Sequence, residues 1–127
     1  GDASDFGDLI SQRTYLTGAG CQSPTRGFVA GGHMPAVTSL IEFYTIQSKG
    51  NSTQFGELRS GRSGLSAGSN TTRGIVCGGY RGDASPYPKH DTIDAIQLAS
   101  EGNSIDFGDL ATTRGYPGGL SNGHGGL

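Results

Sequence analysis

From 41 to 46 the chain alternates, with Ile41, Phe43 and Thr45 on one parity and Glu42, Tyr44 and Ile46 on the other. A two-residue period with apolar residues on both parities predicts a β-strand covered on both faces. The stretch "TIDAIQLA" at 92–99 has the same character, as does the rest of "LIEFYTIQ" at 40–47. Shorter strands are predicted around these two. "RGFVAGG" (26–32) and "RGIVCGG" (73–79) are β-branched or aromatic runs closed by a Gly pair. "TYLTGAG" (14–20) and "SGLSAGS" (63–69) are small and Gly-rich. "DFGDL" (5–9), "QFGEL" (54–58) and "DFGDL" (106–110) each carry one Phe and one Leu as apolar pins. No segment has the caps and 3.6-residue period of a helix of useful length, so the predicted class is all-β.

The pattern repeats. Phe6, Phe55 and Phe107 are separated by 49 and 52 residues, and Arg13, Arg62 and Arg114 keep the same spacings. "TRGFVAGG" at 25–32 returns as "TRGIVCGG" at 72–79, and "IEFYTIQSKGNS" at 41–52 returns as "IDAIQLASEGNS" at 93–104. Length changes fall in 33–40 and 80–92, which marks those segments as loops. Gly50-Asn51 and Gly102-Asn103 supply turn chemistry between the third and fourth strands. The expected organisation is a single repeat array. It has the outer strand of a preceding unit at 1–10, four-stranded antiparallel units at 11–60 and 61–112, and the start of a further unit or a tail at 113–127.

Four strands per unit and a period near 50 residues fit a β-propeller blade. On the Gly pairs 31–32 and 78–79, the strand holding Tyr44 or Ile96, and the Arg before each first strand, the chain resembles the kelch repeat of the galactose-oxidase central domain. The resemblance covers residues 1–122. Kelch blades carry Trp in the fourth strand; this chain has no Trp, and Phe6, Phe55 and Phe107 stand there instead, as in a divergent branch. The phrase "GN(S/T)xDFGDL…R…TRGxVxGG" is also similar to kelch-like repeats of aquatic bacteriophage structural proteins. Small inner strands (Gly18, Ala19, Gly20; Ser66, Ala67, Gly68) suit crowding round an axis, and Phe-pinned outer strands suit covering a flank. Propellers need about 4–8 blades. About two and a half repeats are therefore expected to be a piece of a longer array or, failing that, one subunit of an assembled propeller. The tail "NGHGGL" lacks the "TTRGxVxGG" that would carry the repeat on.

Composition changes this picture little. Gly supplies 24 of 127 residues, against an average of about 7%. The low apolar share would suggest disorder only alongside a high net charge, and the net charge is −2. Seven Arg and two Lys form no basic run, so no phosphate-binding face for nucleic acid is expected. No apolar run reaches the roughly 18 residues of a membrane helix. Cys21 and Cys77 occupy different repeat positions and read as two buried small thiols, with a disulfide between them as the lesser alternative, and neither has metal-finger spacing.

The candidate sites divide into recurrent and unique residues. Asp8 precedes Arg13 by five, as Glu57 precedes Arg62 and Asp109 precedes Arg114, which predicts a local ion pair or carbonyl cap at the turn into each unit. Arg26 and Arg73 are expected on loop carbonyls or on an anionic ligand. The loop 80–92, "YRGDASPYPKHDT", is the most distinctive segment, and Tyr80, Arg81, Tyr87 and His90 suit contact with a protein or a sugar ring. Asn51 and Asn70 begin N-x-S/T triplets and are possible glycan acceptors, whereas Asn103-Ser104-Ile105 breaks the pattern. No nucleophile elbow is present, His33, His90 and His124 occupy unlike positions, and no Tyr keeps a fixed relation to Cys or His as a copper site would need. No catalytic residue, cofactor or metal is expected. The expected function is a non-enzymatic structural or binding propeller module, extracellular or on a virion such as a phage appendage. It would contact other blades or copies, a partner protein or a surface glycan through rim loops. A sugar-binding lectin with one pocket per blade and the scaffold of a galactose-oxidase-like enzyme are the alternatives.

Overall fold

The structure is a computed structural model that describes residues 1–16, 21–82 and 85–121. Its strands are β1 (Cys21–Gln22), β2 (Arg26–Ala30), β3 (Leu40–Thr45), β4 (Thr53–Glu57), β5 (Ser66–Ser69), β6 (Arg73–Cys77), β7 (Thr92–Gln97) and β8 (Ile105–Asp109). They form two four-stranded antiparallel sheets in sequence order, β1-β2-β3-β4 and β5-β6-β7-β8, and no helix occurs among the described residues. The protein is all-β. The second, third and fourth strands of both units lie where the hydrophobic pattern places them, whereas the outer strand expected at 1–10 is not a strand. The expected inner-strand residues Gly18, Ala19 and Gly20 lie outside the described residues, and β1 follows them. The tail with His124 lies outside as well.

The two sheets share one register. Phe28 pairs with Phe43 and Ile75 with Ala95, and both third strands carry a bulge, at Ile41/Glu42 and at Ile93/Asp94. A bulge re-aims the side chain beside it, and here the re-aimed residue is acidic in both sheets.

One face of the first sheet packs on the opposite face of the second. Phe28, Ala30, Ile41 and Phe55 meet Val76, Ile96 and Leu98 in a single buried cluster. Phe55 stands edge-on to Phe28, with ring centroids 5.0 Å apart. A Cβ built on Gly74 would lie 2.3 Å from the Cys21 sulfur, so the sheets close only over a glycine there. Burial pushes the Cys21 thiol pKa up to about 12, and both cysteines are free. The three recurring Phe residues do not share one environment: Phe55 is 4% exposed, Phe6 40% and Phe107 55%. Only the middle one lies between two sheets.

The flanking segments repeat the same contacts. Gly50 N–H donates to Phe6 O and Ser52 N–H to Asp8 O, as Gly102 and Ser104 donate to Phe55 O and Glu57 O, all at 2.9 Å. Asn51 Oδ1 accepts the Asp8 N–H at 2.9 Å, and Asn103 Oδ1 accepts the Glu57 N–H at 3.0 Å. The N-terminal segment therefore lies against the first sheet as β4 lies against the second. The Asn at this turn does the same backbone work whether or not a glycan triplet follows it. Asn70 Oδ1 likewise accepts the Thr72 and Arg73 N–H groups, at 2.9 and 2.7 Å.

The recurrent arginines correct the expected ion pairs. Arg13 pairs with Glu42, and Arg62 with Asp94, all four with buried side chains. The acid is the bulged residue of the third strand, not Asp8 or Glu57 in the preceding turn. Arg13 Nη1 donates to Gly31 O at 3.0 Å, and Arg62 Nη1 donates to Gly78 O and Thr92 O at 3.1 Å each. Glu57 instead accepts the Ser39 hydroxyl at 3.3 Å. The physical reason is geometric. The turn acids sit on the solvent side, while the bulge swings the third-strand acid under the incoming guanidinium. Burial outweighs attraction on both sides of the second pair: it lowers the Arg62 pKa and raises that of Asp94, and each is pulled back by the other's charge. Gly31 and Gly78, at φ +65° and +62°, turn the chain so that their carbonyls meet these arginines, a conformation L side chains rarely adopt. Arg114, at the third equivalent position, is exposed; its N–H donates to His90 O at 3.0 Å and its C=O accepts the Gly79 N–H at 2.8 Å. The expected Asp109–Arg114 pair is not among the ion pairs of the described residues. Arg26 and Arg73 lie over aromatic rings, 4.5 Å from the centroid of Phe43 and 5.9 Å from that of Phe107.

Candidate functional site

In an antiparallel meander the loop from the second to the third strand and the turn into the next sheet emerge at the same end. Residues 31–39 and 78–91 therefore meet 58–65 and 110–116 there, stitched by bridges of His33 to Thr14 and Val37 and of Tyr80 to Ser63 and Lys89. Between them lies a cleft of about 430 Å³ lined by Tyr15, His33, Ser63, Tyr80, Tyr87 and Tyr116, with Gly82 at its lip.

The tyrosines are held from beneath by small residues. Rings of Tyr15 and Tyr116 stand 6.0 Å apart edge to face, and those of Tyr80 and Tyr116 5.3 Å apart. A Cβ on Gly115 would lie 2.0 Å from the Tyr80 ring, and one on Gly64 2.7 Å from the Tyr116 ring, so both rings rest on bare backbone. Among the described residues the non-glycine positions with positive φ are Tyr15 (53°), Tyr87 (51°) and Tyr116 (51°), and all three line the cleft. The left-handed region costs an L-residue about 1–2 kcal/mol, and such strain gathers where a site needs a fixed geometry. Tyr15 and Tyr116 share a repeat position with Gly64, whose φ of +61° carries no such cost. Loss of water, then the neighbouring Tyr15 and Tyr80, push the Tyr116 phenol above its ordinary pKa.

The structure brings together two of the four loop residues singled out from sequence, Tyr80 and Tyr87. Arg81 is exposed and does not line the cleft; its N–H closes the loop by donating to Pro88 O at 2.8 Å. His90 is half-buried beneath the loop. Its N–H donates to Gly79 O at 2.9 Å and its Nδ1 lies 3.4 Å from Thr92 Oγ1. Desolvation, followed by repulsion from Arg62 and Arg81, lowers its pKa. It supports the loop instead of facing a ligand. Sequence reasoning missed Tyr15, His33, Ser63 and Tyr116. The available signal was positional: Tyr15 and Tyr116 each follow the recurrent arginine by two, and His33 and Tyr80 are equivalent.

No family model matches the chain, and no curated protein matches it. The assignment of a role therefore rests on the cleft itself.

Proposed function

We propose that this protein is a non-enzymatic binding module whose two sheets are kelch-like propeller blades and whose tyrosine cleft receives a sugar ring of a surface glycan, in an extracellular or virion setting. The observation that carries this reading is the set of four tyrosines round one cleft, three of them in a strained backbone conformation. A tyrosine offers an apolar face and a polar tip. A sugar ring offers the complement, an apolar C–H face rimmed by hydroxyls. The tyrosine faces would stack on the ring, while phenol, Ser63 and His33 groups would meet the hydroxyls. Ligand pockets run from about 300 to 1,000 Å³, so a cleft of about 430 Å³ suits one or two rings. Both repeats and the turn after the second contribute to this cleft, which favours one shared site over one pocket per blade.

The test is a glycan array followed by calorimetric titration of the best hit. Tyr116→Ala and Tyr80→Ala should each weaken binding at least about tenfold, since stacking and its hydrogen bonds are lost. His90→Asn should leave affinity unchanged. Absence of any glycan hit, or hits insensitive to both tyrosine substitutions, overturns the reading.

A further inference from the structure

His90 occupies a place that the first unit fills with a threonine. Its N–H donates to Gly79 O at 2.9 Å, and its C=O accepts the Arg114 N–H at 3.0 Å. In the first unit Thr38 N–H donates to Gly32 O at 3.0 Å, and Thr38 O accepts the Arg62 N–H at 3.2 Å. The backbone task is the same in both units and needs no imidazole. What the second unit adds is a titratable ring at the base of the tyrosine cleft.

Those two bonds hold the segments that carry the cleft. Gly79 precedes Tyr80, and Arg114 precedes Gly115 and Tyr116. The Tyr80 ring rests on Gly115 and stands 5.3 Å from the Tyr116 ring. A movement of His90 against either segment therefore reaches that ring pair.

The imidazole environment suits the neutral form alone. Nδ1 lies 3.4 Å from Thr92 Oγ1, while Nε2 is shut off from water and meets no hydrogen-bond partner among the described residues. A neutral ring can leave Nε2 bare. A charged ring carries N–H groups on both nitrogens, and the second has nothing to receive it. The charges around the ring come from several elements. Arg62, on the turn into the second unit, and Arg81, in the loop, repel a cation there; Asp91 beside it and Asp94 of β7 attract one. Asp94 is already paired with Arg62. The chain neighbours Lys89 and Arg114 are exposed. Loss of water, then the two arginines, keep the His90 pKa below its ordinary value.

We propose that His90 is an acid-sensitive latch on the tyrosine cleft: a proton turns its imidazole out to water, slackens its bonds to Gly79 and Arg114, and releases the bound sugar by parting Tyr80 from Tyr116. The proposal rests on the sugar-binding reading for its ligand and on the surroundings of His90 for the switch. The sign follows from linkage. Sugar binds the form with a neutral ring, so affinity is full above the ordinary histidine range and falls as the pH drops through the His90 pKa.

The experiment follows the His90 imidazole and the Tyr80 and Tyr116 ring protons by NMR in the isotope-labelled protein, titrated from about pH 8 to about pH 5 without ligand. The tyrosine signals should move with the midpoint of the imidazole, below the ordinary value of about 6.5. In His90→Thr, which keeps the backbone task as Thr38 does, they should stay in place. Arg81→Ala should raise both midpoints together and Asp91→Asn should lower both, and neither residue lines the cleft. A glycan array probed at about pH 7.5 and about pH 5 should lose at least about threefold in signal for the wild-type protein and hold it for His90→Thr. Tyrosine rings that ignore the imidazole titration, or that move equally in His90→Thr, overturn the proposal. So does array binding that is the same at both pH values. An array blank at both overturns the sugar reading instead, and the ring titration still decides the latch.

Discussion

Phe55→Ala and Phe107→Ala remove the same side chain from the same place in two repeats, yet their costs should differ widely. Truncating a buried phenylalanine costs about 3–5 kcal/mol, the lost transfer energy plus the cavity left behind. Phe55 is 4% exposed and touches Phe28 and Phe43 edge-on at 5.0 and 6.0 Å, so it should cost about 4 kcal/mol. Phe107 is 55% exposed. It keeps less than half of a transfer term of about 1.5–3 kcal/mol and leaves no enclosed cavity, so it should cost about 1 kcal/mol. Its partner Arg73, 5.9 Å from the ring, adds about 0.5 kcal/mol at an exposed site. The expected gap is therefore about 2.5 kcal/mol. Urea unfolding followed by circular dichroism reads it, provided the denaturant slope is unchanged among variants. Equal losses in the monomeric protein would refute the assignment of one Phe to an interface and the other to an open face.

Three further outcomes are expected. Asp94→Ala strands the Arg62 guanidinium in the core and should cost about 3–5 kcal/mol, whereas Asp106→Ala, which breaks the exposed Arg59–Asp106 contact of 2.6 Å, should cost under about 1 kcal/mol in the same assay. The His90 pKa is lowered below its ordinary 6.5 on folding, so the unfolded chain takes up the proton first. Stability should accordingly be full above pH 6.5 and decline as the pH falls below it, and melting curves of His90→Asn should lose that part of the slope. Gly115→Ala drives a methyl into the far end of the Tyr80 ring, which can swing aside; melting temperature should hardly move, while glycan affinity should fall at least about tenfold.

Much of the fold was legible because it is written twice. Strand alternation at Ile41–Ile46, the Gly pairs, and the variable lengths at 33–40 and 80–92 fix strands and loops from local chemistry alone. The arginine partners were not legible in the same way, since Asp8 and Glu57 lie close in sequence while Glu42 and Asp94 arrive from strands of the sheet that follows each arginine. The usable clue was an acid lodged in each otherwise apolar third strand, where burial demands a counter-charge. Tyr80 and Tyr87 were found because their loop is unlike its counterpart. Tyr15 and Tyr116 were missed because they lie on separate turns, and only the stacking of the sheets brings them together. His90 misled for the opposite reason, being polar, in a distinctive loop, and turned inward.

Arg62 has its backbone on one sheet and its side chain in the other. Its C=O accepts the Gly32 N–H at 2.8 Å and its N–H donates to Thr38 O at 3.2 Å, while its guanidinium is sunk beside Asp94. A residue so placed acts as a rivet. The halves cannot part without breaking both backbone bonds and opening the buried Arg62–Asp94 pair to water, and neighbouring units joined this way melt together. Heat or force should meet one cooperative block here, and a chain severed at Ser60 should yield two pieces that are each unable to hold native shape.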